Sequence, residues 1–144
     1  MTPPPTRVKA PRAAHVKQAW RVGRGSRSHR SGHAAEWFAA ALLMTRGYQV
    51  IGFRLKVAGV EVDILARKGR TLAVVEVKRR HTMEAALAAL TPAQYDRLLA
   101  AGRAVLRQRP SLAGHVLRID TVALAPGRFP RHRRGVVAFG RTAA

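Results

Sequence analysis

Several kinds of residue are absent or scarce in this sequence of 144 residues, and each absence excludes a class of structure. There is no cysteine, so disulfide bonds and thiolate metal sites are excluded. The longest apolar run, residues 37–44, falls far short of the ~20 residues that a membrane-spanning helix needs. Acidic residues number only 7 against 27 Lys and Arg, which gives a formal net charge of +20. Length and composition therefore predict one basic domain without a membrane span.

The excess of positive charge predicts a polyanionic partner. Nucleic acid is the first candidate, with an anionic membrane surface behind it. Residues 1–29 contain no acid and are rich in Pro, Gly, Ser and Arg. Such a segment buries too little apolar surface to offset chain ordering, so we expect a disordered basic arm over residues 1–29 and a folded domain over residues 30–144. An organelle transit peptide has a similar composition, but we favour a cytoplasmic protein whose arm contacts phosphates.

A β-hairpin is predicted within residues 60–80, where a strictly alternating segment is followed by a largely apolar, β-branched one. Gly69 and Arg70 separate the two arms, and a two-residue loop with Gly first suits a type II′ turn. This loop pairs Lys68 with Thr71 and thereby sets the register of the whole hairpin. In the first arm the alternation predicts four apolar residues on one face: Val60, Val62, Ile64 and Ala66.

Three of the seven acidic residues fall in this hairpin. In the predicted register Asp63 lies opposite Glu76, and Glu61 lies opposite Lys78. Like charges placed in this way destabilise a hairpin unless something positive lies between them, so the pattern favours a bound cation. Two simpler interpretations stay open: Glu61 and Lys78 form an ordinary ion pair, and nearby arginines neutralise Asp63 and Glu76.

The first predicted helix begins at Ser31, a suitable N-cap, and ends before Gly47, which suits the position after a helix end. From residue 34 to residue 44 every residue except Glu36 is apolar, so we expect this helix to be buried. A carboxylate in such a segment needs a partner. Either Glu36 binds a backbone amide or an arginine near the helix start, or it takes part in the cation site.

The remaining pattern predicts an α/β fold of order αβββαβ, with a mixed sheet flanked by helices. Thr91 caps a second helix with Pro92 in its first position, and we expect Asp120 to form an ion pair with an arginine. The other predicted elements are a strand over residues 48–56 that turns at residues 58–59, a short helix within residues 83–90, a strand over residues 115–124, a basic loop over residues 126–135 and an edge strand over residues 135–139.

The spacing of Asp63, Glu76, Val77 and Lys78 resembles the D…(D/E)-x-K signature of the PD-(D/E)XK nuclease superfamily. This resemblance implies that the two carboxylates and the Val77 backbone carbonyl hold Mg²⁺ or Mn²⁺ through oxygen ligands. It implies that Lys78 orients the attacking water or helps to deprotonate it.

Residues 30–125 are similar to the bacterial YraN-like family, an uncharacterised endonuclease-like group related in fold to archaeal Holliday-junction resolvases. The family pattern is met by Gly32, Glu36 and Ala39, by Gly47 and Tyr48, by Glu61, Val62, Asp63 and Ile64, and by Val75, Glu76, Val77, Lys78 and Arg80. The chain departs from the pattern at Val60, where Gly is usual, at Gln94, where Lys is common, and in lacking Phe-Gly after Lys78.

The resemblance implies a PD-(D/E)XK restriction-endonuclease-like core and a metal-dependent endonuclease that acts on DNA, including branched or otherwise structured DNA, with a homodimer as one assembly it allows. The implied catalytic residues are Glu36, Asp63, Glu76 and Lys78. Nucleic-acid contacts are expected from Arg80, Gln94, Arg97, Arg131, Arg133 and Arg134. The alternatives are a non-catalytic nucleic-acid-binding module that retains the nuclease fold and a basic protein associated with RNA.

Overall fold

The structure is a computed structural model that describes residues 27–135 and 137–138, with side chains over residues 33–135. The chain divides into two compact units, Met1–Ala34 and Ala35–Ala144. The described residues of the first unit, 27–34, are helical. Apart from residues 27–29, the predicted basic arm lies outside the described residues.

The described elements follow the order of helix, three strands, two helices and three strands. Their bounds are α1 (Arg27–Thr45), β1 (Gln49–Val57), β2 (Val60–Lys68), β3 (Thr71–Arg79), α2 (Met83–Leu87), α3 (Pro92–Gln108), a 3-10 turn (Pro110–Leu112), β4 (Val116–Leu124), β5 (Arg131–Arg133) and β6 (Val137–Ala138). None of the helices in this part of the chain is long and apolar enough to cross a membrane.

The strands form one mixed sheet. The first three strands form an antiparallel meander, β3 and β4 are parallel, and β5 and β6 pair antiparallel with separate stretches of β4. A parallel pair requires a crossover connection, which α2 and α3 supply. The predicted α/β class and the mixed sheet are confirmed. The prediction of a loop throughout residues 126–135 was wrong, since β5 lies within that segment.

Helices pack on both faces of the sheet. On one face α3 contributes Leu98, Ala101 and Val105 to a core completed mainly by Leu72, Val74, Leu117 and Ile119. On the other face, residues 35–45 of α1 contribute Ala39, Ala40 and Leu43 to a core that contains Ile64, Ala66, Ala73, Val75 and Val122. Gly102 allows α3 to approach closely, because a Cβ there would lie 2.5 Å from Leu117 Cδ1.

Helix α1 differs from its prediction in two respects. It already includes Arg27, so Ser31 lies inside the helix and is not its N-cap. Its outer side is exposed, with exposed fractions of 45% for Trp37, 63% for Phe38 and 52% for Met44, so the expectation of a buried helix was wrong. The physical reason is that the sheet can cover only one side of a helix, and the small residues of α1 take that side. The C-terminal end is confirmed, because Gly47 adopts φ +87° directly after the helix.

The hairpin of β2 and β3 follows the predicted register only in part. Residues pair from Lys68 with Thr71 up to Ile64 with Val75, and Gly69 adopts φ +57° in the turn. The ladder ends there, and the Asp63 carboxylate instead accepts a hydrogen bond from the Val77 N–H (2.8 Å). Asp63 therefore takes the place of a backbone partner at the point where the two strands separate.

The predicted alternation of β2 is wrong at the same point. Val62 packs in the core beneath α3, whereas Ile64 packs in the core beneath α1. In the neighbouring strand β1, Phe53 pairs with Ile64 and Leu55 pairs with Val62. Arg54 therefore lies opposite Asp63, where the faces exchange, and it adopts φ +48°. A left-handed residue interrupts strand geometry, and the faces exchange across it.

A buried polar network attaches β5 to the sheet. The Asp120 side chain is fully buried and forms the predicted ion pair with an arginine, since Arg118 donates to both carboxylate oxygens (2.7 and 2.8 Å). His132 Nε2 lies 2.7 Å from Asp120 Oδ2, and the Gly135 N–H donates to Oδ1 (3.1 Å). Burial by itself raises the pKa of Asp120, but the hydrogen bonds from His132 and Arg118 outweigh it and hold that pKa below its ordinary value.

Candidate active site

Acidic and basic side chains meet where β2 and β3 separate. Asp63 comes from β2, and Glu76 and Lys78 come from β3, two positions apart on the same face of that strand. The Lys78 ammonium lies 3.3 Å from Glu76 Oε1, and the exposed fractions of these two side chains are only 9% and 16%. The alternative interpretation of an ion pair between Glu61 and Lys78 is not met, because Lys78 pairs with Glu76 of its own strand.

The Asp63 and Glu76 carboxyl groups lie close enough in this partly buried site that each shifts the pKa of the other. Burial is the largest cause that raises the pKa of Glu76 to about 7, and the charge of Asp63 raises it further. Burial also raises the pKa of Asp63, although the Val77 N–H acts against it. Lys78 lowers both values without cancelling the effect of burial. The expected repulsion between the two acids is therefore present, and Lys78 is the neighbouring cation that opposes it.

Glu36 has the arginine partner that was one of its two predicted alternatives. Arg54 Nε lies 2.7 Å from Glu36 Oε2, within a half-buried pair. Burial still raises the pKa of Glu36, and Asp63 and Glu61 add to that rise, whereas Arg54 opposes it. Because these acids act on Glu36, it belongs to the same electrostatic cluster as Asp63 and Glu61.

The start of α3 holds Lys78 from the other side. Thr91 is the N-cap, as predicted, and it forms a capping box with Gln94, whose Oε1 also accepts a hydrogen bond from Lys78 Nζ (3.3 Å). A cleft of about 200 Å³ opens beside this contact. Its lining residues are Gly59, Val60, Glu61, Glu76, Gln94, Arg97 and Leu98. The cleft therefore joins the acids to a cationic rim at Arg97, which is exposed.

The structure distributes the expected nucleic-acid contacts over three places. Gln94 and Arg97 line the cleft, whereas the exposed Arg80 directly follows β3. The remaining three residues, Arg131, Arg133 and Arg134, are exposed on and after β5.

The predicted oxygen ligands are brought together in part. The Val77 N–H donates to Asp63, so Asp63 lies beside the backbone that links Glu76 to Lys78. Within residues 33–135, no three His, Asp or Glu side chains are arranged as a ready set of metal ligands. The two carboxylates nevertheless supply oxygen donors of the kind that Mg²⁺ and Mn²⁺ prefer.

Arg54 is the residue of this site that sequence reasoning missed. Its segment reads as an ordinary strand, and no residue pattern indicates a left-handed arginine opposite Asp63. A non-glycine residue in this conformation costs roughly 1–2 kcal/mol, and such strain is concentrated at functional sites. Its side chain lies against Glu36, so the strained backbone supplies the one cation that this acid needs.

Substituting Arg54 is expected to separate backbone strain from charge. The free energy of unfolding of Arg54→Gly should be about 1 kcal/mol higher than that of Arg54→Ala, because only glycine adopts φ +48° without steric cost. Both variants should be less stable than wild type, and this loss of stability should be larger at pH 8 than at pH 5. Arg54 stabilises only ionised Glu36, and its loss raises the pKa of Glu36 still further.

Urea denaturation at the two pH values measures both effects. Arg67→Ala is the matched control, because Arg67 Nε binds the neutral, exposed Gln49 side chain (2.9 Å) and should show no such pH dependence. Equal stability of the glycine and alanine variants would contradict the left-handed conformation at this position.

The fold and the site together define an α/β protein with a mixed sheet, whose acid and lysine cluster lies where two strands separate. A family model described as "Uncharacterised protein family UPF0102" matches residues 35–124. This is more than half of the chain, so the chain belongs to that family, and the predicted membership of the YraN family is confirmed.

Curated relatives agree with this assignment. A UPF0102 protein of a Caulobacter species is 47% identical over 116 residues, which cover 81% of this chain and 84% of the relative. A UPF0102 protein of Caulobacter vibrioides is 45% identical over 120 residues, covering 83% of this chain and 93% of the relative. A third, from Methylorubrum extorquens, is 44% identical over 105 residues, covering 73% and 82%. The chain is thus similar to them over most of their length.

Proposed function

We propose that this protein is a metal-dependent endonuclease that acts on DNA and has a core of the PD-(D/E)XK type. The observation that carries the proposal is the largely buried pair of Glu76 and Lys78 (3.3 Å) beside Asp63, whose carboxylate accepts a hydrogen bond from the Val77 N–H. Two partly buried carboxylates close together are costly unless a cation neutralises them. A site of this kind is maintained at a cost to stability, which supports a chemical role.

The architecture supports the same proposal. An antiparallel hairpin supplies Asp63 and Glu76 with Lys78, and the parallel strand β4 follows after a helical crossover. This matches the order αβββαβ with the acids on its second and third strands. Glu36, on the preceding helix, adds negative charge to the cluster and orients Arg54.

The roles of the residues follow from their chemistry. Asp63, Glu76 and the Val77 carbonyl would hold Mg²⁺ or Mn²⁺, which would supply charge stabilisation at a scissile phosphate. Lys78, held by Glu76 and Gln94, would position a water molecule with its ammonium. Arg97 at the rim of the cleft would attract the phosphate backbone, as would the overall charge of +20.

The test compares wild type with Asp63→Asn, which keeps the size of the side chain and an acceptor for the Val77 N–H. Linear, flapped and four-way DNA and RNA substrates are incubated with EDTA, Mg²⁺ or Mn²⁺. We expect metal-dependent nicking of DNA by wild type and none by the variant. In calorimetry, metal at a hundred times its dissociation constant should stabilise wild type by about 2.7 kcal/mol and the variant by far less.

The same experiment distinguishes the alternative functions. A non-catalytic nucleic-acid-binding module would bind DNA without nicking it, whatever the metal. A protein associated with RNA would prefer RNA and bind it equally well after Asp63→Asn. An unchanged melting temperature of wild type in Mn²⁺ would contradict the metal site itself.

A further inference from the structure

An exposed aromatic ring lies on the loop between β4 and β5. Phe129 has an exposed fraction of 92%, the largest of any large apolar side chain in the described residues. Leaving a phenylalanine in water forgoes the free energy that burial of its ring would provide. Single exposed apolar residues are common on proteins, so the surroundings of the ring decide whether it has a role.

The loop that carries Phe129 is held at both ends. At its start the Arg80 N–H donates to the Leu124 carbonyl (3.1 Å), and the Arg128 N–H donates to the Ala125 carbonyl (3.2 Å). At its end the His132 side chain, only 1% exposed, contacts Asp120. Between the two anchors Pro130 restricts the backbone directly after the ring. The ring is therefore presented by an anchored loop.

The same loop leaves the sheet beside the candidate active site. Strands β3 and β4 are parallel, so their C-terminal ends lie at one edge, where Arg79 pairs with Leu124. One residue earlier in both strands, Lys78 pairs with Ala123, and Ala123 also pairs with Arg131 of β5. Lys78 and Arg131 are thus two strand spacings apart, about 10 Å between backbones.

The charged residues nearest to Phe129 in the sequence are all positive. After Asp120 the sequence contains no acidic residue, and the exposed side chains nearest to Phe129 in the sequence include Arg128 and Arg131. An aromatic ring flanked by cations is the combination that binds single-stranded nucleic acid, since the ring stacks on a base and the cations contact its phosphates. A protein partner or a lipid surface would favour several apolar side chains together, and this loop offers one.

We propose that Phe129 stacks on an unpaired base of the nucleic acid, while the arginines of the same loop and strand bind the adjoining phosphates. This inference rests on the proposed function and deepens it, because it specifies the substrate class. In an intact duplex both faces of every internal base are covered by neighbours, so the ring finds no partner. At a single-stranded branch, gap or flap a base face is free, close to Glu76 and Lys78.

The test measures binding in EDTA, where no cleavage occurs. Fluorescence anisotropy compares an intact duplex, a gapped duplex and a single strand of about 12 nucleotides. Phe129→Ala should weaken binding of the gapped and single-stranded DNA roughly tenfold to a hundredfold, which is the usual effect of losing one stacked base. The affinity of Phe129→Ala for the intact duplex should stay within about twofold of the wild-type value. Phe129→Trp should retain single-strand binding, since an indole stacks at least as well.

Two controls make the result specific. Phe38→Ala removes another exposed phenylalanine, on α1, and should leave all three affinities unchanged. Phe129→Leu keeps an apolar side chain without a ring. With 2-aminopurine in the single strand, wild type should quench the fluorescence on binding by stacking, whereas the leucine variant should not.

Each outcome decides between the proposals. Equal affinities of wild type and Phe129→Ala, or equal weakening for all three substrates, would overturn the stacking role and leave the proposed endonuclease intact. Stacking in EDTA combined with no nicking of the same substrates in Mg²⁺ or Mn²⁺ would support the ring and contradict the endonuclease. Failure of wild type to bind any nucleic acid would overturn both. Unfolding of the alanine and leucine variants would assign the ring to the core and also overturn its role in binding.

Discussion

Lys78→Met is expected to reduce metal-dependent cleavage roughly 100- to 10,000-fold, the range for loss of a group that positions or activates water. The lysine side chain is 9% exposed and has two polar contacts, to Glu76 and Gln94. Methionine keeps the length of the side chain but removes the charge and the donors. Single-turnover cleavage at saturating metal measures the loss.

The fold and the metal affinity should survive this change. Without Lys78 the pKa of Glu76 rises further, so at neutral pH the group is protonated and the buried charge is avoided. Because a positive neighbour is removed, a divalent ion should bind as tightly as before or more tightly. Arg97→Met is the matched control, since it deletes an exposed charge at the cleft and should weaken substrate binding while sparing the chemical step. Full cleavage by Lys78→Met would exclude the proposed role of the lysine.

Binding to duplex DNA should weaken roughly a thousandfold between 50 and 200 mM salt if about 6 phosphates are neutralised. The physical reason is the release of condensed counterions by the many cationic side chains, in a chain whose net charge is +20. Anisotropy titrations over a salt series in EDTA give the slope of log K against log salt.

Variants of β5 refine this measurement. Arg131 and Arg133 are exposed, while His132 between them is attached to Asp120. Arg131→Gln and Arg133→Gln should each reduce the salt slope by about 1 if the side chain contacts phosphate. A salt response that is flat in wild type would show that charge does not drive binding.

Local signals in the sequence were sufficient for α3 and for the turns. Thr91 and Pro92 act within one helical turn, so together they predict where α3 begins, and Thr91 is indeed its N-cap. The same holds for Gly69, whose left-handed conformation is required by a two-residue loop. The register of the hairpin near this turn was therefore predictable from a few neighbouring residues.

Features that depend on distant contacts were not predictable in this way. The sequence indicated a cluster of acids, but its partners come from other strands: Arg54 for Glu36, and the Val77 N–H for Asp63. The reversal of faces at Asp63 requires the strained residue Arg54 in the adjacent strand. Backbone strain at one residue cannot be recognised from the composition of the segment. His132 likewise lies in a run of arginines that reads as solvated loop, until Asp120 supplies a partner for it.

The hydrogen bond from Lys78 to Gln94 links the candidate chemistry to motion. The first turn of a helix is the part that opens most readily, on timescales far shorter than global unfolding. Gln94 Oε1 accepts from both Lys78 and the Thr91 N–H, so each opening of the capping box releases the lysine from one of its two polar partners. Between openings the ammonium is held by both Glu76 and Gln94. The lifetime of this helical turn therefore sets how long Lys78 stays in one orientation. Hydrogen exchange at the start of α3 measures how often the turn opens.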